Sequence, residues 1–163
     1  SNSITDGFEH NATASAGDVL EYQIISTLPT ITSNATSLTT YNFYDSISEG
    51  LTYNKALKDV KIEFFTDADC TDKVATWVQD DGKFTVTYSS DDRHMTIDIT
   101  AAGLAEINGG TANVNGKLYE GYSNYTARVT YTATINSNAS FAAICSAIFL
   151  LFPFPLPIIL LFK

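Results

Sequence analysis

The chain has 163 residues, a net charge of −9 and a pI near 4.4, enough for one well-buried domain and short for two. That acidity excludes a nucleic-acid binder, which needs a basic footprint. Nine tyrosines and ten phenylalanines, with abundant Thr, Ile and Val, favour strands over helices.

Ser1-Asn2-Ser3 resembles a vector-derived scar rather than a native start, and no signal peptide is visible. Gly17-Asp18 is a turn signal that opens the first strand: Leu20, Tyr22 and Ile24 alternate with Val19, Glu21 and Gln23. Thr27 to Thr40 is Ser/Thr/Asn-rich, is broken at Pro29, and reads as a surface loop. A second strand covers Thr40 to Ser46, followed by a turn at Ser48-Glu49-Gly50. Val60–Phe65, Phe84–Tyr88 and Met95–Ile99 alternate as strands, with turn clusters at Asp80-Asp81-Gly82 and Ser89–Asp92 between them. Thr100 to Ile107 predicts the one short helix, closed by Asn108-Gly109-Gly110. Tyr125 to Ile135 is the long last strand, with Tyr131, Ala133 and Ile135 on one face and threonines on the other. Short strands punctuated by turns at about ten-residue spacing indicate an all-β sandwich, and no internal repeat is visible.

Residues 1–140 form this domain, and residues 141–163 differ in kind. Phe141 to Phe162 carries no charge and is long enough to cross a membrane, but Pro153, Pro155 and Pro157 oppose a regular helix. A membrane-like segment, a last strand and an unreliable stretch of sequence all stay open for this tail. Cys70 and Cys145 lie far apart, so a disulfide and two unpaired thiols are both open. His10 and His94 are isolated, and no metal site or cofactor is expected. Asn11, Asn34, Asn124 and Asn138 open Asn-x-Ser/Thr triplets, which arise readily by chance in so Thr-, Ser- and Asn-rich a chain.

Two positions can carry chemistry together. Asp45 ends an apolar strand, and a carboxyl buried there keeps its proton at neutral pH. Such an acid can hydrogen-bond an asparagine carbonyl and make its carbon electrophilic. A lysine desolvated in the same pocket becomes a neutral nucleophile. Asn136, at the end of the last strand, is the candidate acceptor, with Asn138 behind it. Taken alone, an aspartate at a strand end is ordinarily a turn-former, and so is an asparagine after a strand.

The order of motifs adds to that reading. Gly17-Asp-Val-Leu-Glu-Tyr22 is followed by Tyr44-Asp45-Ser-Ile-Ser-Glu-Gly50-Leu-Thr-Tyr53, then Ile97-Asp-Ile-Thr-Ala-Ala-Gly-Leu104, then Tyr131-Thr-Ala-Thr-Ile-Asn136-Ser-Asn-Ala139. This series, over about residues 15 to 140, resembles the fimbrial isopeptide-formation domain of Gram-positive backbone pilins. The resemblance implies a Cna B-type, immunoglobulin-like β-sandwich, with Asp45 as the catalytic acid and Asn136 as the isopeptide acceptor. It further implies a structural shaft of a pilus or cell-surface adhesin, secreted to the cell wall. Neighbouring pilin subunits and a sortase would be its partners.

The chain also departs from the family pattern. The family lysine precedes the Gly-Asp motif, and residues 1–16 contain none. Lys55, Lys58 and Lys61 follow Asp45 too closely to be first-strand residues, and Lys163 is at the wrong end. The expectation is therefore that no intramolecular isopeptide bond forms in this chain unless Lys163 folds back. No sorting signal or polymerisation motif is recognisable. A ligand-binding adhesin domain is the alternative, recognising a host protein or glycan through the Thr27–Thr40 or Gly109–Gly121 loop. Nothing suggests a turnover enzyme; a single autocatalytic cross-linking event is the most the residues offer.

Overall fold

The computed structural model describes residues 15–32, 34–109, 121–139 and 158–162. Among the described residues nine strands build two antiparallel sheets, accompanied by one α-helix. The strands are β1 (Val19–Thr27), β2 (Asn42–Ser46), β3 (Leu51–Tyr53), β4 (Lys61–Phe65), β5 (Lys73–Val78), β6 (Phe84–Tyr88), β7 (His94–Ile99), β8 (Thr126–Ile135) and β9 (Ile158–Phe162), and the helix α1 is Ala101–Ile107. The larger sheet runs β5-β4-β8-β1-β9, with β3 also paired to β8, and the smaller runs β2-β7-β6. The expected immunoglobulin-like β-sandwich with one short helix is what forms.

The alternation in the sequence decides which residues face inward, because successive strand side chains point to opposite sides. Leu20, Tyr22 and Ile24 of β1 are buried, as are Val129, Tyr131, Ala133 and Ile135 of β8. From the facing sheet come Phe43, Met95 and Ile97, which join the same apolar cluster. The longest ladder is β1 on β8, in register from Val19↔Thr134 to Thr27↔Thr126. It extends one step further through Gly17 N–H to Ile135 C=O (2.7 Å) and Ile135 N–H to Asp18 C=O (2.9 Å).

On the outer face of the larger sheet, Glu63 is nearly buried and is held by Lys73 at 2.9 Å, Arg128 at 3.1 Å and Lys61 at 3.9 Å. Burial pushes the Glu63 carboxyl upward. The hydrogen bonds from Lys73 and Arg128 outweigh it and hold the carboxyl below the ordinary glutamate range.

The segment between β1 and β2 is less of a surface loop than its composition suggests. Leu28 and Ile31 are 1% and 2% exposed. The backbone is tied to the segment before β8 by Leu28 N–H to Tyr125 C=O and by Asn124 N–H to Pro29 C=O. The Asn108 carboxamide also bridges both backbone groups of Leu38 at 2.8 Å. These contacts fix the segment as part of the sandwich. The other loop proposed for ligand binding falls at residues 110–120, outside the described residues, as do Cys145 and most of the apolar tail. Residues 158–162 of that tail form β9, antiparallel to β1 from Leu20↔Phe162 to Ile24↔Ile158. Among the described residues no helix is long and apolar enough to cross a membrane.

The helix starts where Thr100 accepts the Gly103 N–H on its hydroxyl at 3.3 Å and donates that hydroxyl to Gly82 C=O at 2.6 Å. Gly103 is obligatory for space: a Cβ there would sit 2.3 Å from the Lys83 carbonyl oxygen, with the Trp77 ring 3.1 Å away. Gly103→Ala is expected to cost about 1–3 kcal/mol through overpacking. Urea denaturation checks this, and a neutral or stabilising result would show that the helix can shift off β6.

Candidate functional site

Asp45 is on the inward face of β2, opposite Met95 of β7, and is only 8% exposed. Its Oδ2 accepts a 2.8 Å hydrogen bond from the Tyr53 hydroxyl. Tyr53 can reach it because Gly50 turns the chain between β2 and β3, and because β3 is fixed on β8 with Tyr53 opposite Ala133. Two further phenols complete the pocket wall. Tyr22 of β1 and Tyr131 of β8 are cross-strand partners, their rings stacked 5.4 Å apart and 6° from parallel. Both hydroxyls are buried without a well-aligned hydrogen-bond partner.

The electrostatics follow from this burial. Desolvation pushes the Asp45 carboxyl above its ordinary value of 3.8, while the Tyr131 and Tyr53 phenols, the Ser46 backbone N–H and the His94 ring pull against it. The net direction is upward, toward an acid that holds its proton. The Tyr53, Tyr131 and Tyr22 phenols are themselves raised, first by burial and then by the Asp45 charge.

The acceptor candidate is placed differently. Asn136 directly follows Ile135 and lies in the outward phase of β8, with Thr132 and Thr134. Its Nδ2 donates to the Glu49 carbonyl at 2.8 Å and to Thr52 Oγ1 at 3.1 Å. Its Oδ1 accepts the Asn138 N–H at 2.9 Å, and its own N–H donates to Gly50 C=O at 2.9 Å. Asn138, the second candidate, is exposed.

The two motifs of the sequence therefore meet, with Ala139 lying so close over Gly50 that a Cβ on Gly50 would come within 2.8 Å of the Ala139 Cα. That close approach explains the glycine in Asp45-x-x-x-x-Gly50 and the small residue at 139. The structure brings Asn136 to the turn that carries Asp45 and not to the Asp45 carboxyl.

The five described lysines with resolved ion pairs all point elsewhere: Lys55 to Asp92, Lys58 to Asp80, Lys61 and Lys73 to Glu63, and Lys83 to Glu106. Among the described residues no group of His, Cys, Asp and Glu could hold a metal ion. Sequence reading gave Asp45 and missed its phenol neighbours. The signal was present for Tyr22 and Tyr131, which sit at inward positions of alternating strands, and absent for Tyr53, which ends the three-residue β3. It also missed the Ser46–His94 pair, which β2–β7 pairing brings to 2.7 Å on the exposed face.

No protein-family model and no curated protein matches the chain. Among solved structures it is similar to the pilus backbone protein RrgB of Streptococcus pneumoniae, at 25% identity and a TM-score of 0.51. The likeness covers 77% of this chain and 37% of that one, so the chain spans little more than a third of that protein's length.

The pH dependence of Asp45 has a definite sign. Its folded pKa is raised, so as pH climbs from about the unfolded value the unfolded chain releases its proton first. Stability then falls until the folded group has also ionised. Each unit of elevation is worth about 1.4 kcal/mol. Glu63, with its lowered pKa, contributes the opposite slope, so the test is a difference. The stability of Asp45→Asn relative to the parent is expected to rise between pH 4 and pH 7, measured by urea denaturation. A flat or falling difference would mean that Asp45 ionises freely in the fold.

Proposed function

We propose that this chain is a shaft module of a Gram-positive pilus or cell-surface adhesin, of the Cna B-type class that cross-links itself through a Lys–Asn isopeptide bond. Its fold likeness to a pilus backbone carries the shaft reading. The buried Asp45, raised in pKa and facing the inward side of the β1–β8 pair, carries the chemical one. In this reading the module is exported to the cell wall, joins to other pilin subunits through a sortase, and turns over no substrate.

The reaction balances without a cofactor. A neutral lysine Nζ attacks the Asn136 carboxamide carbon while protonated Asp45 polarises the carbonyl oxygen. The new N–C bond forms, the Cγ–Nδ2 bond breaks, and Asp45 passes the amine proton to the departing ammonia. Asn136 must first exchange its hydrogen bonds to Glu49, Thr52 and Asn138 for contact with the acid. The lysine belongs ahead of β1, where an incoming strand would run beside the end of β8. A cross-link closing a loop of ~100 residues adds on the order of 4–5 kcal/mol by the chain-entropy estimate.

Intact-mass spectrometry of a longer chain with a lysine ahead of residue 15 tests the reading. The expected result is a mass deficit of about 17 Da, the ammonia lost in isopeptide formation, absent in Asp45→Ala and in Asn136→Ala. A deficit that survives Asn136→Ala and vanishes in Asn138→Ala would move the acceptor to Asn138. No deficit in the parent would remove the cross-link from the proposal.

A further inference from the structure

We propose that Tyr53 is a positioning residue for the Asp45 acid: its hydroxyl occupies Oδ2 and so confines the acidic proton to Oδ1. The assignment rests on the cross-linking reading for its purpose, although its geometry stands on this chain alone. A carboxylic acid has one oxygen that donates and one that accepts. Tyr53 has only one proton to give, and it gives it to Oδ2 over 2.8 Å inside the core. While that bond stands, a protonated Asp45 presents Oδ2 as its carbonyl oxygen and carries the hydrogen on Oδ1.

The remaining polar atoms agree with this orientation. The Tyr131 and Tyr22 hydroxyls are buried and lack an aligned partner, which is costly unless a donor or acceptor is supplied. A proton on Oδ1 adds a donor to the surroundings that these phenols share with Asp45. The same atom is then the one free to polarise an incoming carbonyl and to shuttle a proton during the reaction. The groups facing Asp45 from the packed elements are Tyr22 on β1, Tyr53 on β3 and Tyr131 on β8, and the His94 charge acts on it from the outer face of β7. Of these, Tyr53 makes the well-aligned hydrogen bond to the carboxyl.

Tyr53 is also held in place independently of Asp45. It is 3% exposed, is paired with Ala133, and is packed at a tilt against the Tyr131 and Tyr88 rings, with centroids 6.2 and 5.3 Å away. Loss of its hydroxyl should therefore leave the ring where it is and change only what Asp45 feels.

The experiment is Tyr53→Phe, read in two ways. In this chain, the Asp45 carboxyl carbon is titrated by NMR: the midpoint is expected to move up by about one unit, since a hydrogen bond that favours the charged form is removed. In the longer, lysine-bearing chain, mass spectrometry follows the ammonia loss, expected to slow about tenfold or more with the final extent retained. Tyr131→Phe is the comparison: that phenol also pulls on the Asp45 carboxyl, and with Tyr53 as the positioning partner the Asp45 midpoint moves less in Tyr131→Phe than in Tyr53→Phe. An unmoved midpoint in Tyr53→Phe, or a larger move in Tyr131→Phe, would overturn the assignment. If the parent never loses ammonia, the cross-linking reading falls, and the titration alone still decides whether Tyr53 holds the acid.

Discussion

The β1–β8 ladder is the constraint on which the rest of the structure depends. It is the longest pairing in the molecule, and β8 serves both of its edges at once, with β1 on one side and β4 and β3 on the other. A strand so placed must be apolar on its core face and cannot slip by one residue without turning that face to solvent. Val129, Tyr131, Ala133 and Ile135 satisfy the requirement with near-zero exposure. The smaller sheet then has one surface on which to pack, and its inward residues close the core.

That packing produces the chemistry. Asp45 is inward because β2 alternates and Phe43 must be buried on the same face, so the carboxyl enters the core as a consequence of register. A buried polar group needs partners, and Tyr53 of β3 supplies one at 2.8 Å, with Tyr22 of β1 and Tyr131 of β8 close by. The rings fill volume as any aromatic side chain would, while their hydroxyls bring a polar fringe to the one charged group the sandwich encloses on this side. The arrangement favours the neutral acid over the carboxylate, which is the state that general-acid chemistry requires. Gly50 and Asn136 fix the turn that joins the acid strand to the Tyr53 strand.

Much of this was legible in the sequence, for a physical reason that also explains the failures. Period-two alternation marks a half-buried strand, and β1, β2, β4, β6, β7 and β8 all carry it. The edge strand β5 carries a weaker signal: of Lys73 to Val78 only Trp77 is buried, and Val74 and Val78 stay about half exposed. At three residues β3 is too short to show a period. Leu28 and Ile31 were hidden among Ser, Thr and Asn, whose composition suggested a free loop. Asp45 was visible as a candidate because its own strand buries it. The orientation of Asn136 was not, since strand phase beyond the last ladder residue depends on the turn that meets it. That turn comes from the other motif of the sequence, more than eighty residues away.

The same ladder sets the mechanical behaviour of the module. Because β1 and β8 are antiparallel neighbours, the entry to β1 and the exit from β8 lie at one end, Val19 beside Thr134. Strand β9 finishes there as well, with Phe162 opposite Leu20. Force that draws Gly17 away from Ile135 therefore opens the ladder as a zipper, one hydrogen bond at a time, beginning with Gly17 N–H to Ile135 C=O. Each such bond contributes only about 1 kcal/mol net, so the pair resists separation poorly for its length. Every ladder bond behind that mouth is shielded until the first one opens. Gly17 and the Asn136 turn lie at that end, so the first ladder bond and the Asn136 carboxamide share one position in the fold.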